Sequence, residues 1–152
     1  MKPRIYTDTS VLGGCEDDEF RDPSRRLLDA FVWGDLTLVL SELTLRELET
    51  APEGVRMAVS RVPLAHIEPL SLSPEAEGLA GAYIEDRATG ATMRVDALHI
   101  SLATVARVDV LVSWNFKHIV NLKRIHAYNA VNLKKGYPLL EIRTHREVPD
   151  DE

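Results

Sequence analysis

Short apolar segments with the composition of β-strands alternate with longer amphipathic segments along almost the whole chain of 152 residues. The predicted strands cover residues 4–8, 36–40, 66–70, 109–114 and 139–143. The main predicted helices cover residues 23–33, 52–62, 73–88, 94–106, 116–120 and 122–133, and a further short helix follows Ser41. Strands that alternate with helices predict an α/β fold with a mostly parallel sheet covered on both faces. We therefore expect one domain over residues 1–147 and a polar tail over residues 148–152.

The spacing of apolar residues within the helices predicts which side chains face the core. In the helix over 94–106 we expect Val95 and Leu98 to face inward. Trp33 and Tyr83 also lie in helical patterns, and we expect both to pack inside the protein.

The cysteine count and the first residues of the sequence bear on the cellular compartment in which we expect the protein. A single cysteine, Cys15, excludes an internal disulfide framework and fits a reducing cytosol. The first four residues lead directly into a strand, and no apolar stretch is long enough to span a membrane. We therefore expect a soluble, cytoplasmic protein that does not associate with membranes.

Charge is distributed unevenly along the chain. The net charge of −6 argues against a protein that binds nucleic acid over its whole surface. The segment from Val110 to Leu140, however, contains no Asp or Glu. Its basic residues are Lys117, Lys123, Arg124, Lys134 and Lys135, with His118 and His126. Such a run is able to attract phosphates locally, and a plain solvated helix face is the alternative.

Polar residues follow or adjoin the predicted strands at four places. Asp8 ends the first strand, Glu47 lies in the helix after the second, Asp96 opens the helix over 94–106, and Asn115 follows the fourth strand. Side chains at the carboxyl ends of parallel strands converge on one crevice. Carboxylates gathered there repel one another unless a hard cation such as Mg²⁺ or Mn²⁺ lies between them. Because such a cation activates water and neutralises a leaving oxygen, we hypothesise a metal-dependent phosphodiesterase.

Each of these carboxylates also has a purely structural interpretation. Asp8 could serve only as a helix N-cap, Glu47 as a solvated helix residue, and Asp96 as compensation for the helix dipole. His99 follows Asp96 by three residues and so lies on a similar helix face. It is interpreted either as a partner that orients Asp96 or shuttles a proton, or as a partly buried structural histidine.

Four sequence blocks together resemble a PIN domain. They are Asp8-Thr9-Ser10-Val11-Leu12, Glu47-Leu48, Asp96-Ala97-Leu98-His99-Ile100 and Leu111-Val112-Ser113-Trp114-Asn115-Phe116. The resemblance implies a three-layer α/β/α sandwich and a Mg²⁺- or Mn²⁺-dependent ribonuclease. It assigns Asp8, Glu47 and Asp96 to the acidic site and Ser10 to the polar position that supports the first aspartate. Small single-domain bacterial members resemble VapC-type toxins, which implies a partner antitoxin and a homodimer.

The sequence departs from the PIN pattern at Asn115. The family commonly has an aspartate there and often another acid shortly after, whereas Phe116, Lys117 and His118 follow here. An amide oxygen is still able to bind Mg²⁺, but it adds no negative charge. This leaves open a one-metal enzyme, a weaker enzyme, or a catalytically inactive module that binds RNA or protein. For RNA contacts we expect Ser10, Lys117, His118, Lys123 and Arg124.

Overall fold

The sheet is the organising feature of the computed structural model, which describes residues 2–14, 21–115 and 119–144. In these residues five strands, all parallel, lie in the order β3-β2-β1-β4-β5. The strands are β1 Arg4–Thr7, β2 Thr37–Ser41, β3 Ile67–Leu70, β4 Val110–Val112 and β5 Ile142–Arg143. The five predicted strands and their parallel arrangement are confirmed.

Helices cover both faces of the sheet. Those in the described residues are α1 Thr9–Gly13, α2 Arg21–Trp33, α3 Glu42–Leu48, α4 Glu53–Ser60, α5 Pro74–Glu85, α6 Arg94–Val105 and α7 Leu122–Lys134. Short 3₁₀ turns at Leu64–His66 and Ala91–Met93 precede β3 and α6. Alternate residues of the strands enter two cores, so that Ile5 packs with α1, α2 and α4, while Tyr6 packs with α5, α6 and α7. The predicted three-layer α/β/α sandwich is confirmed.

Side-chain caps explain where several helices begin. Ser41 accepts a hydrogen bond from the Thr44 amide at 3.2 Å and so starts α3 directly after β2. Ser73 caps α5, whose first residue is Pro74, and Asn121 caps α7. Asp8 caps α1, a short helix that directly follows β1.

Two expectations about the core are wrong. The Val95 side chain is 48% exposed, because the buried face of α6 is formed by Ala97, His99, Ile100 and the following residues. Trp33 is 79% exposed at the end of α2, whereas Tyr83 is buried as expected. Helical periodicity identifies the core stripe, but at helix ends it does not tell which residues the rest of the fold covers.

Some predictions lie outside the described residues. Residues 116–118, which belong to the predicted helix over 116–120, are among them, and so are residues 145–152 with the predicted tail. The domain boundary at residue 147 therefore stays a prediction. Within the described part of the chain, no helix is both long and apolar enough to cross a membrane.

Candidate active site

The four polar positions singled out in the sequence lie at or after the carboxyl ends of strands, or at the start of a helix. Asp8 directly follows β1, and Asn115 lies three residues after the end of β4. Glu47 lies in α3, which begins immediately after β2, and Asp96 lies in the first turn of α6.

Asp8 is a nearly buried carboxylate held by neutral donors. Its side chain is 6% exposed. Ser10 donates its hydroxyl to Oδ1 at 2.6 Å, and Ser113 donates to Oδ2 at 2.7 Å. The Val11 amide completes the N-cap at 3.4 Å from Oδ1. A carboxylate offers about four lone-pair sites, so these three bonds leave about one for a further ligand.

The segment after β4 links Asp8 to Asp96. The Ser113 hydroxyl that donates to Asp8 accepts a hydrogen bond from the backbone amide of Asn115 at 3.0 Å. The side-chain nitrogen of Asn115 in turn lies 3.3 Å from Asp96 Oδ1 and donates to it. Hydrogen bonds therefore connect Asp8, Ser113, Asn115 and Asp96 into one polar cluster.

Tight packing fixes the same segment on its other side. The Trp114 amide donates to the Ser10 hydroxyl at 3.1 Å, and the Trp114 ring lies against Gly14 at the end of α1. A Cβ atom at Gly14 would lie 1.3 Å from the ring and 2.4 Å from the Ser24 hydroxyl. Because any side chain at residue 14 would clash, Gly14 allows the loop after β4 to approach Ser10.

Glu47 is half-buried, and its carboxylate has two described donors. Thr9 donates its hydroxyl to Oε1, and His99 Nε2 lies 3.3 Å from the same oxygen. Burial raises the pKa of Glu47, but the hydrogen bonds from His99 and Thr9 and the charge interaction with His99 outweigh burial and lower it below the ordinary value. Glu47 is therefore ionised at neutral pH.

His99 contacts Glu47 and Tyr6 rather than Asp96. The imidazole is 3% exposed, and its Nδ1 lies 2.7 Å from the Tyr6 hydroxyl. The Tyr6 hydroxyl is also 2.8 Å from the Ser41 hydroxyl, and burial raises the pKa of Tyr6 far above its ordinary value. The idea that His99 orients Asp96 is therefore wrong.

Sequence reasoning did not single out Tyr6 or Ser113 as site residues. Residues two apart in a strand point to the same face, so the position of Tyr6 two residues before Asp8 was an available signal. Ser113 directly follows the buried end of β4, which is the equivalent of the position of Asp8 after β1.

The residues expected to contact RNA have different surroundings. Ser10 lies inside the site, and Lys123 is exposed on α7. The Arg124 guanidinium donates to the Ala88 carbonyl at 3.0 Å, so this side chain anchors α7. Lys117 and His118 lie outside the described residues.

The donor set suits a hard divalent cation with an incomplete protein shell. Within residues 2–14, 21–115 and 119–144, no group of three or more His, Cys, Asp or Glu side chains is arranged to hold a metal ion. Mg²⁺ commonly uses one or two carboxylates and completes its shell with water and substrate phosphates. Asp8 and Asp96, which are connected through Ser113 and Asn115, are the carboxylates of this cluster that could supply oxygen ligands of this kind.

Comparison with known proteins identifies the fold. No family model and no curated protein matches the sequence. VapBC2 from Rickettsia felis, solved bound to a DNA fragment from its promoter, matches with a TM-score of 0.55 and 17% identity over 93% of this chain and 98% of that chain. VapC20 from Mycobacterium tuberculosis, a toxin that cleaves the sarcin-ricin loop, matches with a TM-score of 0.52 and 15% identity over 70% of this chain and 86% of that chain.

The chain has the PIN-domain fold of the VapC toxins. The resemblance inferred from the four sequence blocks is therefore confirmed at the level of the fold.

Proposed function

We propose that this protein is a Mg²⁺- or Mn²⁺-dependent endoribonuclease that hydrolyses RNA phosphodiester bonds as the toxin of a toxin–antitoxin pair. One observation carries the proposal. A nearly buried carboxylate, Asp8, is held by hydroxyl and amide donors and is connected through Ser113 and Asn115 to a second carboxylate, Asp96. An arrangement of this kind keeps anionic oxygens together, and the VapC-like fold provides the scaffold on which it is built.

In this proposal each residue has a distinct task. Asp8 and Asp96 are the main ligands, and Asn115 supports them with its amide group. Glu47 binds the cation or orients the water that attacks the phosphorus. A divalent cation held here supplies a more acidic water and stabilises the charge of the leaving oxygen.

RNA is the proposed substrate, and an antitoxin is the proposed protein partner. Ser10, Lys123 and Arg124, with Lys117 and His118, are the proposed contacts to the RNA backbone. One neighbour is a toxin that cleaves the sarcin-ricin loop, which supports RNA as the class of substrate. The other neighbour is VapBC2, which supports a cognate antitoxin. A homodimer and action in the cytoplasm complete the proposal.

A second candidate is a catalytically weak or inactive module that binds RNA or protein. The observation in its favour is Asn115, whose amide donates to Asp96 where an aspartate would add a further anionic ligand. RNA binding that does not depend on Mg²⁺, with no product after long incubation, is the result expected for this candidate.

Cleavage of a substrate panel tests the proposal. Structured RNA, duplex DNA and a phosphomonoester are incubated with the protein in Mg²⁺, Mn²⁺ or EDTA. We expect products from RNA alone, only with metal, and none from Asp8→Asn. Asp109→Asn is the matched control, because Asp109 accepts the Arg4 amide at the opposite end of the sheet. Metal-dependent cleavage of DNA or the monoester instead of RNA would contradict the proposed substrate, and activity retained in Asp8→Asn would contradict the proposed site.

A further inference from the structure

A line of buried polar side chains runs from the core to Glu47. The hydroxyl of Tyr6, on β1, lies 2.8 Å from the Ser41 hydroxyl and 2.7 Å from His99 Nδ1. His99 Nε2 lies 3.3 Å from Glu47 Oε1. Tyr6, Ser41 and His99 are all at most 3% exposed. Their hydroxyls and ring nitrogens are therefore shielded from water and depend on one another for hydrogen bonds.

With a neutral His99 ring, these hydrogen bonds have one consistent set of directions. An ionised carboxylate only accepts, so Nε2 of His99 carries the proton and donates to Glu47. In the neutral imidazole Nδ1 then accepts, and the Tyr6 hydroxyl is its donor. The Ser41 hydroxyl, which itself accepts from the Thr44 amide at 3.2 Å, donates to Tyr6. Every group in the line then has one consistent role.

The two donors to Glu47 share one oxygen. The Thr9 hydroxyl donates to Oε1, and His99 Nε2 lies 3.3 Å from the same oxygen. Among the described residues, no donor contacts Oε2. Holding a partly exposed glutamate side chain in one orientation costs rotational entropy. The two contacts at Oε1 hold the Glu47 carboxylate in place and so define the direction of Oε2.

We propose that His99 and Tyr6 are positioning residues that lock Glu47 through Oε1 and leave Oε2 as its working oxygen for a cation or an attacking water. The proposal rests on the proposed nuclease function and adds two residues to it. Neither residue touches the substrate. Tyr6 sets the tautomer and orientation of the His99 ring, and the ring orients the carboxylate, as outer partners of metal ligands commonly do.

A second buried tyrosine provides a matched control. Tyr83 is, like Tyr6, fully buried, and its hydroxyl donates to Asn132 and lies 3.4 Å from the Thr104 hydroxyl. The side-chain nitrogen of Asn132 donates to Asn129 Oδ1. Asn129 in turn donates to the Leu140 carbonyl and accepts from the Leu140 backbone amide. Tyr83→Phe therefore removes an equally buried hydroxyl from a network that stabilises the packing of α7.

Cleavage kinetics of the two phenylalanine variants are the first test. We expect Tyr6→Phe to lower kcat by about 10- to 100-fold with little change in KM, and Tyr83→Phe to leave both unchanged at a similar loss of thermal stability. We also expect His99→Gln, which keeps a donor for Glu47, to retain more activity than His99→Leu. Equal kcat in the two tyrosine variants, or equal loss in the two His99 variants, would overturn the proposal.

Nuclear magnetic resonance supplies a test that does not require cleavage. In the wild type we expect ¹⁵N shifts of the His99 ring that report Nε2 as the donor nitrogen and Nδ1 as the acceptor. Tyr6→Phe is expected to change these shifts and the ¹³C shift of the Glu47 carboxylate, while Tyr83→Phe leaves both in place. If wild type cleaves no RNA, the nuclease proposal fails, and unchanged shifts in Tyr6→Phe would independently overturn the positioning role.

Discussion

The two ends of the sheet hold their carboxylates in different ways. Near the amino ends, Arg4 begins β1 and donates to Glu68 on β3 at 2.6 and 2.7 Å, and its amide donates to Asp109 at 2.7 Å. At the carboxyl ends, Asp8 and Glu47 are held by hydroxyls, a backbone amide and an imidazole. A guanidinium cancels the charge of a carboxylate, whereas a hydroxyl satisfies its lone pairs and leaves the charge. The carboxylate of Glu68 is therefore neutralised by a guanidinium, whereas Asp8 is held by neutral donors that leave its charge, as the proposed cation site requires.

The largest difference between the two ends is expected in catalysis. Glu47→Gln and Glu68→Gln each replace a glutamate by its neutral isostere. The first should lower kcat/KM by on the order of 10²-fold or more, because it removes a group that orients water or binds the cation. The second should leave cleavage unchanged. Equal activity of the two variants in an RNA cleavage assay would remove Glu47 from the site.

Two equally buried serines allow a hydroxyl that supports the site to be compared with one that does not. Ser113 donates to Asp8 at 2.7 Å, whereas the equally buried Ser101 donates only to the Leu98 carbonyl within its own helix. Ser113→Ala leaves one oxygen of a buried carboxylate without its donor and should cost about 1–3 kcal/mol of unfolding free energy.

Ser101→Ala is the control for Ser113→Ala and should cost no more than about 1 kcal/mol. Urea denaturation of both variants measures the difference. A Ser113→Ala variant as stable as Ser101→Ala would mean that the hydroxyl does not support Asp8.

Asn115→Asp should make the thermal stability of the protein depend on a bound divalent cation. The amide that donates to Asp96 would become a second carboxylate at about the same place, and like charges this close repel. In EDTA we expect the thermal midpoint to fall, and in Mn²⁺ we expect it to rise by more than that of wild type, because a tighter-bound cation stabilises the folded state.

Asn129→Asp is the matched control for Asn115→Asp, since Asn129 binds only Leu140 and Asn132 in the described network. It should be destabilised in EDTA and Mn²⁺ alike. The same response to Mn²⁺ in both variants would contradict a cation site beside Asp96.

The smallest effect is expected at the amino end and concerns pH. The hydrogen bond from Arg4 lowers the pKa of Glu68 below its ordinary value of 4.5. A carboxyl group whose pKa is lower in the folded state contributes stability above its unfolded pKa, and that contribution disappears as the pH falls through the folded value. Both side chains are partly exposed, so the contribution is less than about 1 kcal/mol.

Glu68→Gln should therefore be slightly less stable than wild type at pH 7, and the difference should disappear as the pH falls through the lowered pKa of folded Glu68. Chemical denaturation of both proteins at several pH values measures this. A difference that grows on acidification would have the wrong sign for a lowered pKa.

The sequence predicted what local patterns determine. Apolar runs predicted the five strands, and the predicted helix starts after Ser41 and at residue 73 agree with the caps that the structure shows. The polar positions after β1 and β4 followed from the geometry of parallel strands. These features depend on neighbours in the sequence, which is why they were predictable.

Tertiary contacts account for the misses. The spacing of His99 and Asp96 along one helix suggested that they interact. The partners of His99 are instead Tyr6 on β1 and Glu47 on α3, which come close to it only in the folded protein. Val95 and Trp33 follow helical spacing, yet both side chains are exposed in the described part of the chain. The contact of the Arg124 guanidinium with the Ala88 carbonyl is likewise a tertiary contact that the sequence did not predict, and the role of Arg124 in binding RNA stays a prediction.

The most direct test of the central claim compares two aspartates in RNA cleavage. A mixed pool of structured RNA is incubated with wild type, Asp96→Asn and Asp86→Asn in Mg²⁺, Mn²⁺ or EDTA, and Asp86 is the control because its carboxylate pairs with Lys134 away from the site. We predict metal-dependent cleavage by wild type and Asp86→Asn and none by Asp96→Asn. A folded wild type that cleaves under no condition, or an Asp96→Asn variant as active as wild type, would contradict this prediction.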